Sequence, residues 1–311
     1  MNKIELTEKI KKEKPLLKDT SIKQYVRSII LLYEKLRENE EDKTVSNMDL
    51  FKNTSKMENV LSDYHYTTAR NFYTSAITLL STEEKPNKEV IRVYEAKVKS
   101  AHGKYIEENE TGIISLKQSE AFKGGVEQID ILLQKLKEDN NMMVYIIFKM
   151  LKLYHIRNEI ATLQIIPIKQ FNKLKTSDKV DNNYIVLGSK RLFISRNGYK
   201  TDKKYGEIIF DITDKEFNKE LRTYIKTRDS PVLFPFPETD GINDKKKQLS
   251  NLLIYNSQKY IGKKIGSTLM AKIMLSSKYI EQKSKQDIDA KTRGHSVSTM
   301  NEVYVKKMIS E

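Results

Sequence analysis

The 311-residue chain contains no cysteine, and only four of its residues are histidine. Without cysteine there are no disulfides and no thiolate metal sites, which fits a reducing, intracellular setting. Nor does any apolar run approach the length of a membrane span, so no membrane partner is expected. The opening MNKIELTEKIKKEKP lacks the apolar stretch of a secretory leader. No sustained repeat or low-complexity segment is visible.

What is present is charge. Lys and Arg total 56 against 42 Asp and Glu, giving a net charge of +14 and a pI near 9.4. A polyanion is the natural partner for such a surface, and nucleic acid is the first candidate. The alternative is a Lys- and Asn-rich composition whose lysines are merely solvated. The excess persists through 261–311, with ten basic residues against five acidic. An apolar share of 38% suits a globular protein, and the length allows two domains.

Along the chain, 20–37 (TSIKQYVRSIILLYEKLR) places Ile22, Tyr25, Val26, Ile29, Tyr33 and Leu36 on one helical face. Thr20 or Ser21 is available there as a cap. Helical runs follow at 57–81 and 87–108. Polar EENETGIIS, at 107–115, interrupts the pattern. The expected organisation is a helical domain over 1–108, a linker over 109–115 and a second domain over 116–311. Helices resume with SEAFKGGVEQIDILLQKLKED and MMVYIIFKMLKLYHIRNEIATLQI, whose stripe Val144, Ile147, Phe148 and Leu151 reads as core, with His155 structural. Then the period changes. NNYIVLG, RLFIS and GEIIFDI read as three short strands of a small antiparallel sheet. Thr213 and Glu216 have capping-box spacing before a further helix. SPVLFPFPETDG reads as a loop and DKKKQ, at 244–248, as a solvated loop with phosphate contact as the alternative. The expected class is mainly α with a small antiparallel β-sheet.

The chemistry concentrates in RGHSVSTMNEVYVKK, from Arg293 to Lys307. A tyrosine hydroxyl can attack a phosphodiester and store the bond energy as a phosphotyrosine. Such a site needs cationic donors on the phosphate oxygens and an acid for the leaving oxygen, drawn from separate elements. GHSVSTMNEVY resembles the last box of the tyrosine site-specific recombinases, the phage-integrase family, with His295 and Tyr304 nine residues apart. Ser296, Ser298 and Thr299 match the residues between. LYHIRNEIATLQI places Arg157 where the family has its first arginine, although Glu159 follows by two places rather than three. NGYKTDKKYGEIIFDI resembles the family's lysine-bearing hairpin, with Lys200 the best match and Lys203 and Lys204 as alternatives. The second family arginine is missing. In GSTLMAKIMLSSKY, Thr268 and Ala271 stand where a His and an Arg are expected, and Lys272 is the alternative occupant.

The resemblance covers most of 116–307, and the helical first domain by architecture only. It implies a C-shaped clamp of two domains on double-stranded DNA carrying a specific recombination site. Arg157, Lys200, His295 and Tyr304 would be catalytic, with Lys272 and Arg293 as further phosphate-binding candidates. Four protomers would act on two duplexes as a homotetramer, with neither metal nor other cofactor, in an intracellular, DNA-associated setting. Strand exchange would be slowed by alanine at 271. A type IB topoisomerase-like activity and a non-catalytic DNA-binding relative are the other two readings.

Overall fold

The computed structural model describes residues 2–38, 40, 45–110, 116–180, 182–199, 201–237 and 242–292. The fold is mainly helical with one small sheet, an α+β arrangement. The chain divides into two compact units, Met1–Ile113 and Ile114–Glu311.

The first unit is helical throughout its described residues: α1 (Lys3–Glu13), α2 (Asp19–Glu38), α3 (Asn47–Lys52), α4 (Thr54–Leu61), α5 (Tyr66–Leu80) and α6 (Lys88–Glu110). On α2 the buried stripe is Ile22, Val26, Ile29, Leu32 and Leu36, with Tyr25 and Tyr33 at its margins. The three- and four-residue spacing makes this one helical face. Because α2 begins at Asp19, Thr20 and Ser21 lie inside its first turn and are not its cap. The run read as one helix over 57–81 is two, α4 and α5, parted at Ser62–His65. Both α3 and α4 start on capping side chains. Ser46 Oγ accepts from Asp49 N at 3.1 Å and Asn53 Oδ1 accepts from Lys56 N at 3.0 Å. The fully buried Tyr94 donates its hydroxyl proton to the Phe51 carbonyl at 2.8 Å, so its polar end is satisfied.

The second unit opens with α7 (Leu116–Phe122), α8 (Glu127–Glu138) and α9 (Met142–Tyr154). Gly125, at φ 53°, makes the turn between α7 and α8. Helix α9 is apolar nearly all round, and Val144, Ile147, Phe148 and Leu151 are buried as the sequence predicts. Elements α8, α13 (Lys215–Lys226), α14 (Ile242–Ile261) and α15 (Ser267–Thr292) pack around it. The apolar run does not continue as helix to Ile165. It stops at Tyr154, His155 takes a left-handed conformation (φ 50°), and a 3₁₀ turn follows over Asn158–Thr162.

Next comes β1 (Leu163–Pro167), then α10 (Ile168–Phe171), α11 (Thr176–Lys179), β2 (Asn183–Leu187), β3 (Leu192–Arg196), α12 (Asp202–Tyr205) and β4 (Ile208–Asp211). The sheet order is β1-β2-β3-β4. The β2-β3 and β3-β4 pairs are antiparallel, but β1 runs parallel to β2. The expected three-stranded antiparallel sheet is thus a mixed sheet of four. The extra strand comes from LQIIP, the end of the run read as helix. Its open edge is covered by the segment read as a loop: Ile165 N donates to Pro231 O at 2.6 Å and Leu233 N to Leu163 O at 2.9 Å. Helix α13 is capped by Asp214, whose Oδ1 accepts from Phe217 N at 2.7 Å, one position beyond the expected Thr213. DKKKQ at 244–248 lies within α14 and is not a loop.

The side chain of His155 contributes a pH dependence. Its Nδ1 is buried without a hydrogen-bond partner, and burial, then the charge of Lys278, lowers its pKa below 6.5. The unfolded chain therefore takes up a proton where the folded one does not, so stability is intact above that pH and falls as pH drops through it. Asparagine tolerates the left-handed conformation and does not titrate. His155→Asn should therefore flatten stability between about pH 7 and 5. Urea unfolding at stepped pH checks this, and an unchanged slope would contradict it.

Candidate functional site

The abrupt end of α9 positions the first candidate residue. Ile156 is buried directly after the left-handed turn, which leaves Arg157 exposed at the start of the 3₁₀ turn. Glu159, two residues on, points inward and is buried. The second contributor is the end of β3 with the connection to β4. There Asn183 acts as a clamp. Its Oδ1 accepts from the backbone N–H groups of Asn197 and Gly198 at 3.0 and 3.1 Å, while its Nδ2 donates to Gly198 O at 3.1 Å. The connection closes when the buried Tyr199 donates its hydroxyl proton to Gly206 O at 2.8 Å. Gly206 sits at φ 66°, ψ −154°, a conformation open only to glycine.

These elements enclose a pocket of about 230 Å³ lined by His155, Ile156, Arg157, Glu159, Arg196, Tyr199, Thr201, Tyr205 and Ile208. Arg157 thus shares a pocket with Tyr199 and Thr201, the chain neighbours of Lys200. Arg196 reaches to 3.9 Å from Glu159 and lies over the Tyr199 ring at 4.8 Å. Burial lowers the Arg196 guanidinium below its ordinary value; Glu159 pulls it back up and the charge of Arg157 lowers it further. The pocket holds two cations and one carboxylate, a composition that favours an anion.

Lys200, Arg293, His295 and Tyr304 lie outside the described residues. Ala271 is on α15, half-buried, and the exposed Lys272 beside it donates to Gln118 Oε1 at 3.1 Å. Lys272 does not line the Arg157 pocket. Thr268 lines a different cleft of about 700 Å³, with Asn158, Ser250, Lys263 and Lys264. Helix α15 does approach the first pocket, since Lys278 is near enough to lower the pKa of His155. Of the residues selected from sequence, the described structure places Arg157 in the pocket. Arg196 and Tyr199 were missed; an arginine closing a strand just before a tyrosine-bearing turn was the available signal. Among the described residues, no group of His, Asp and Glu side chains converges as a metal site, and no helix is long and apolar enough to cross a membrane. A larger cleft of about 1090 Å³ in the first unit mixes Lys and Glu side chains.

Compared with known proteins, the chain matches no family model, no curated protein and no solved structure.

The Tyr199 hydroxyl is the tie that holds the Lys200-bearing connection closed. Tyr199→Phe should cost about 1 kcal/mol, the net worth of one hydrogen bond. It should also speed trypsin cleavage after Lys203 and Lys204. Urea denaturation and timed digestion measure both, and parental values in each would mean that the tie is idle.

Proposed function

We propose that the chain is a DNA strand-exchange enzyme with Tyr304 as nucleophile. The observation that carries this reading is the GHSVSTMNEVY spacing of His295 and Tyr304. It is supported by the pocket that sets Arg157 beside the neighbours of Lys200. In this reading the two units close on duplex DNA as a clamp, and basic side chains contact the phosphates. Double-stranded DNA with a specific site is the partner, and four copies act on two duplexes.

The Tyr304 hydroxyl attacks the scissile phosphorus, and the bond to the 5′-oxygen breaks. Lys200 delivers a proton to that leaving oxygen, which departs as a 5′-hydroxyl. Arg157 and His295 donate to the non-bridging oxygens as negative charge builds on them. The 3′-phosphotyrosyl bond retains the energy of the phosphodiester. A 5′-hydroxyl from the partner duplex then attacks it, restoring the phosphodiester and freeing Tyr304. The bonds made and broken are equivalent, so no nucleotide hydrolysis is needed.

Ala271 favours a second reading, a relative that binds DNA without cutting it. A methyl group cannot donate to a phosphate oxygen. Loss of one oxyanion donor lowers rate by about 10²–10³. Ala271→Arg should therefore raise the rate of covalent Tyr304–DNA adduct formation on a nicked suicide substrate by about that factor. DNA binding without adduct in both proteins would support the binding-only reading. Relaxation of plasmids without site preference would instead support topoisomerase chemistry.

The lysine can be tested apart from the arginine. In the Ala271→Arg background, Lys200→Ala should suppress cleavage of ordinary DNA. It should regain cleavage on a 5′-bridging phosphorothiolate, whose sulfur leaves without a proton. If Lys203→Ala or Lys204→Ala is the variant rescued, the acid lies elsewhere in the connection.

A further inference from the structure

Arg196 ends β3 with only 16% of its side chain exposed, between the face of Tyr199 and the Glu159 carboxylate. The Glu159 side chain is 8% exposed, yet its Oε2 has no hydrogen-bond partner among the described residues. At 3.9 Å the carboxylate attracts the guanidinium without forming a direct hydrogen bond. A ring face on one side and a carboxylate on another limit how the planar fork can turn. Arg157 enters the same pocket and is near enough for the two positive charges to oppose each other.

Among the described residues lining the pocket Glu159 is the only carboxylate, so between them the two guanidiniums carry one positive charge more than it compensates. Folding places like charges together at a cost. An anion that accepts from both arginines removes that cost, and Arg is the side chain best shaped for phosphate. A neutral guest would leave the donors without acceptors.

We propose that Arg196 is a second phosphate-binding residue, gripping one phosphate group together with Arg157 while Glu159 and Tyr199 hold it in position. The inference rests on the strand-exchange reading only for the source of that phosphate, a DNA backbone. The anion site itself rests on the pocket. A grip on the ground-state phosphate contributes to affinity rather than to rate, so it is no substitute for a donor at position 271.

The test compares the parent with Arg196→Gln and with the pair Glu159→Gln/Arg196→Gln, which removes the carboxylate that the single change leaves buried alone. Inorganic phosphate is titrated against chloride at constant ionic strength while thermal unfolding is followed. Short duplex DNA is titrated over a range of salt. Phosphate should raise the parent's unfolding midpoint saturably, and the folded paired variant should lose that rise. Its slope of log affinity against log salt should become shallower by about 0.9, one phosphate contact. If the paired variant keeps both the phosphate response and the parental slope, Arg196 is only a support for the sheet and the proposal falls. Phosphate binding through Arg196 without any DNA binding would keep the anion site and remove the DNA reading. DNA binding with neither property altered would do the reverse. Should the paired variant not fold, Arg196→Lys decides. It keeps a charge beside Glu159 but loses the fork, and phosphate affinity should drop about tenfold, the worth of one charge-assisted hydrogen bond. Parental affinity in Arg196→Lys would overturn the proposal.

Discussion

The burial of α9 is the constraint on which the second unit depends. Val144, Tyr145, Ile146, Ile147, Phe148, Met150 and Leu151 are all buried, so the helix must be surrounded rather than merely covered on one face. Truncating one large residue there, such as Phe148, would cost about 3–5 kcal/mol. The left-handed conformation of His155, where the helix ends, costs about 1–2 kcal/mol. Packing outweighs backbone strain, and the chain turns sharply where the core ends. That turn buries Ile156 and leaves Arg157 facing outward. The position of a candidate phosphate ligand is thus a consequence of core packing, set by residues that touch no ligand.

The sheet fixes the other half of the pocket. Both faces of β2 are buried: Ile185 joins the main core, while Tyr184 and Val186 pack with Phe171 and Phe193 on the opposite side. A strand fixed on both faces cannot slip by one residue without moving every side chain to the wrong face. Asn183 sits at the start of that strand, so its hold on Asn197 and Gly198 transfers the register of the sheet to the connection beyond β3. The Arg196–Glu159 contact is of another kind. Removing two charges from water costs several kcal/mol per ion, and a separation of 3.9 Å with unpaired atoms offsets that cost poorly. The pair is better understood as a device for placing a guanidinium than as a source of stability.

Patterns that depend on periodicity were legible in the sequence. The α2 stripe, the α9 core and strands β2, β3 and β4 all announce themselves through spacing, and so does the α+β class. Competition between local preferences was not legible. LQIIP continues an apolar run and reads as more helix; only its pairing with β2 makes it a strand. The Glu216 spacing points to Thr213 as the cap, yet the Asp214 carboxylate is the group that reaches Phe217 N. DKKKQ looked like a solvated loop because charge runs favour water, but charge is also tolerated on the exposed face of a helix. Arg157 could be chosen from its neighbours in sequence. Arg196 carried only the weak signal of closing a strand before a tyrosine-bearing turn, because its partners Glu159 and Tyr199 come from two different elements and meet only in the fold.

The net charge of +14 and the pocket act at different levels. Dispersed lysines release counterions from a polyanion and draw it in from a distance, but they do not select one phosphate from its neighbours. Selection needs donors converging from separate elements at fixed positions, and the end of α9 and the end of β3 bring Arg157 and Arg196 into one pocket. In the strand-exchange reading proposed above, position 271 then separates two functions that charge alone cannot distinguish. In the proposed reading, Arg157 and Arg196, which line one pocket, hold a phosphate in its resting geometry. Acceleration requires a donor whose contact strengthens as the phosphorus becomes five-coordinate. On that reading, alanine at 271 would leave the attraction and the grip intact while withholding such a donor, which is how binding would persist where catalysis is weak.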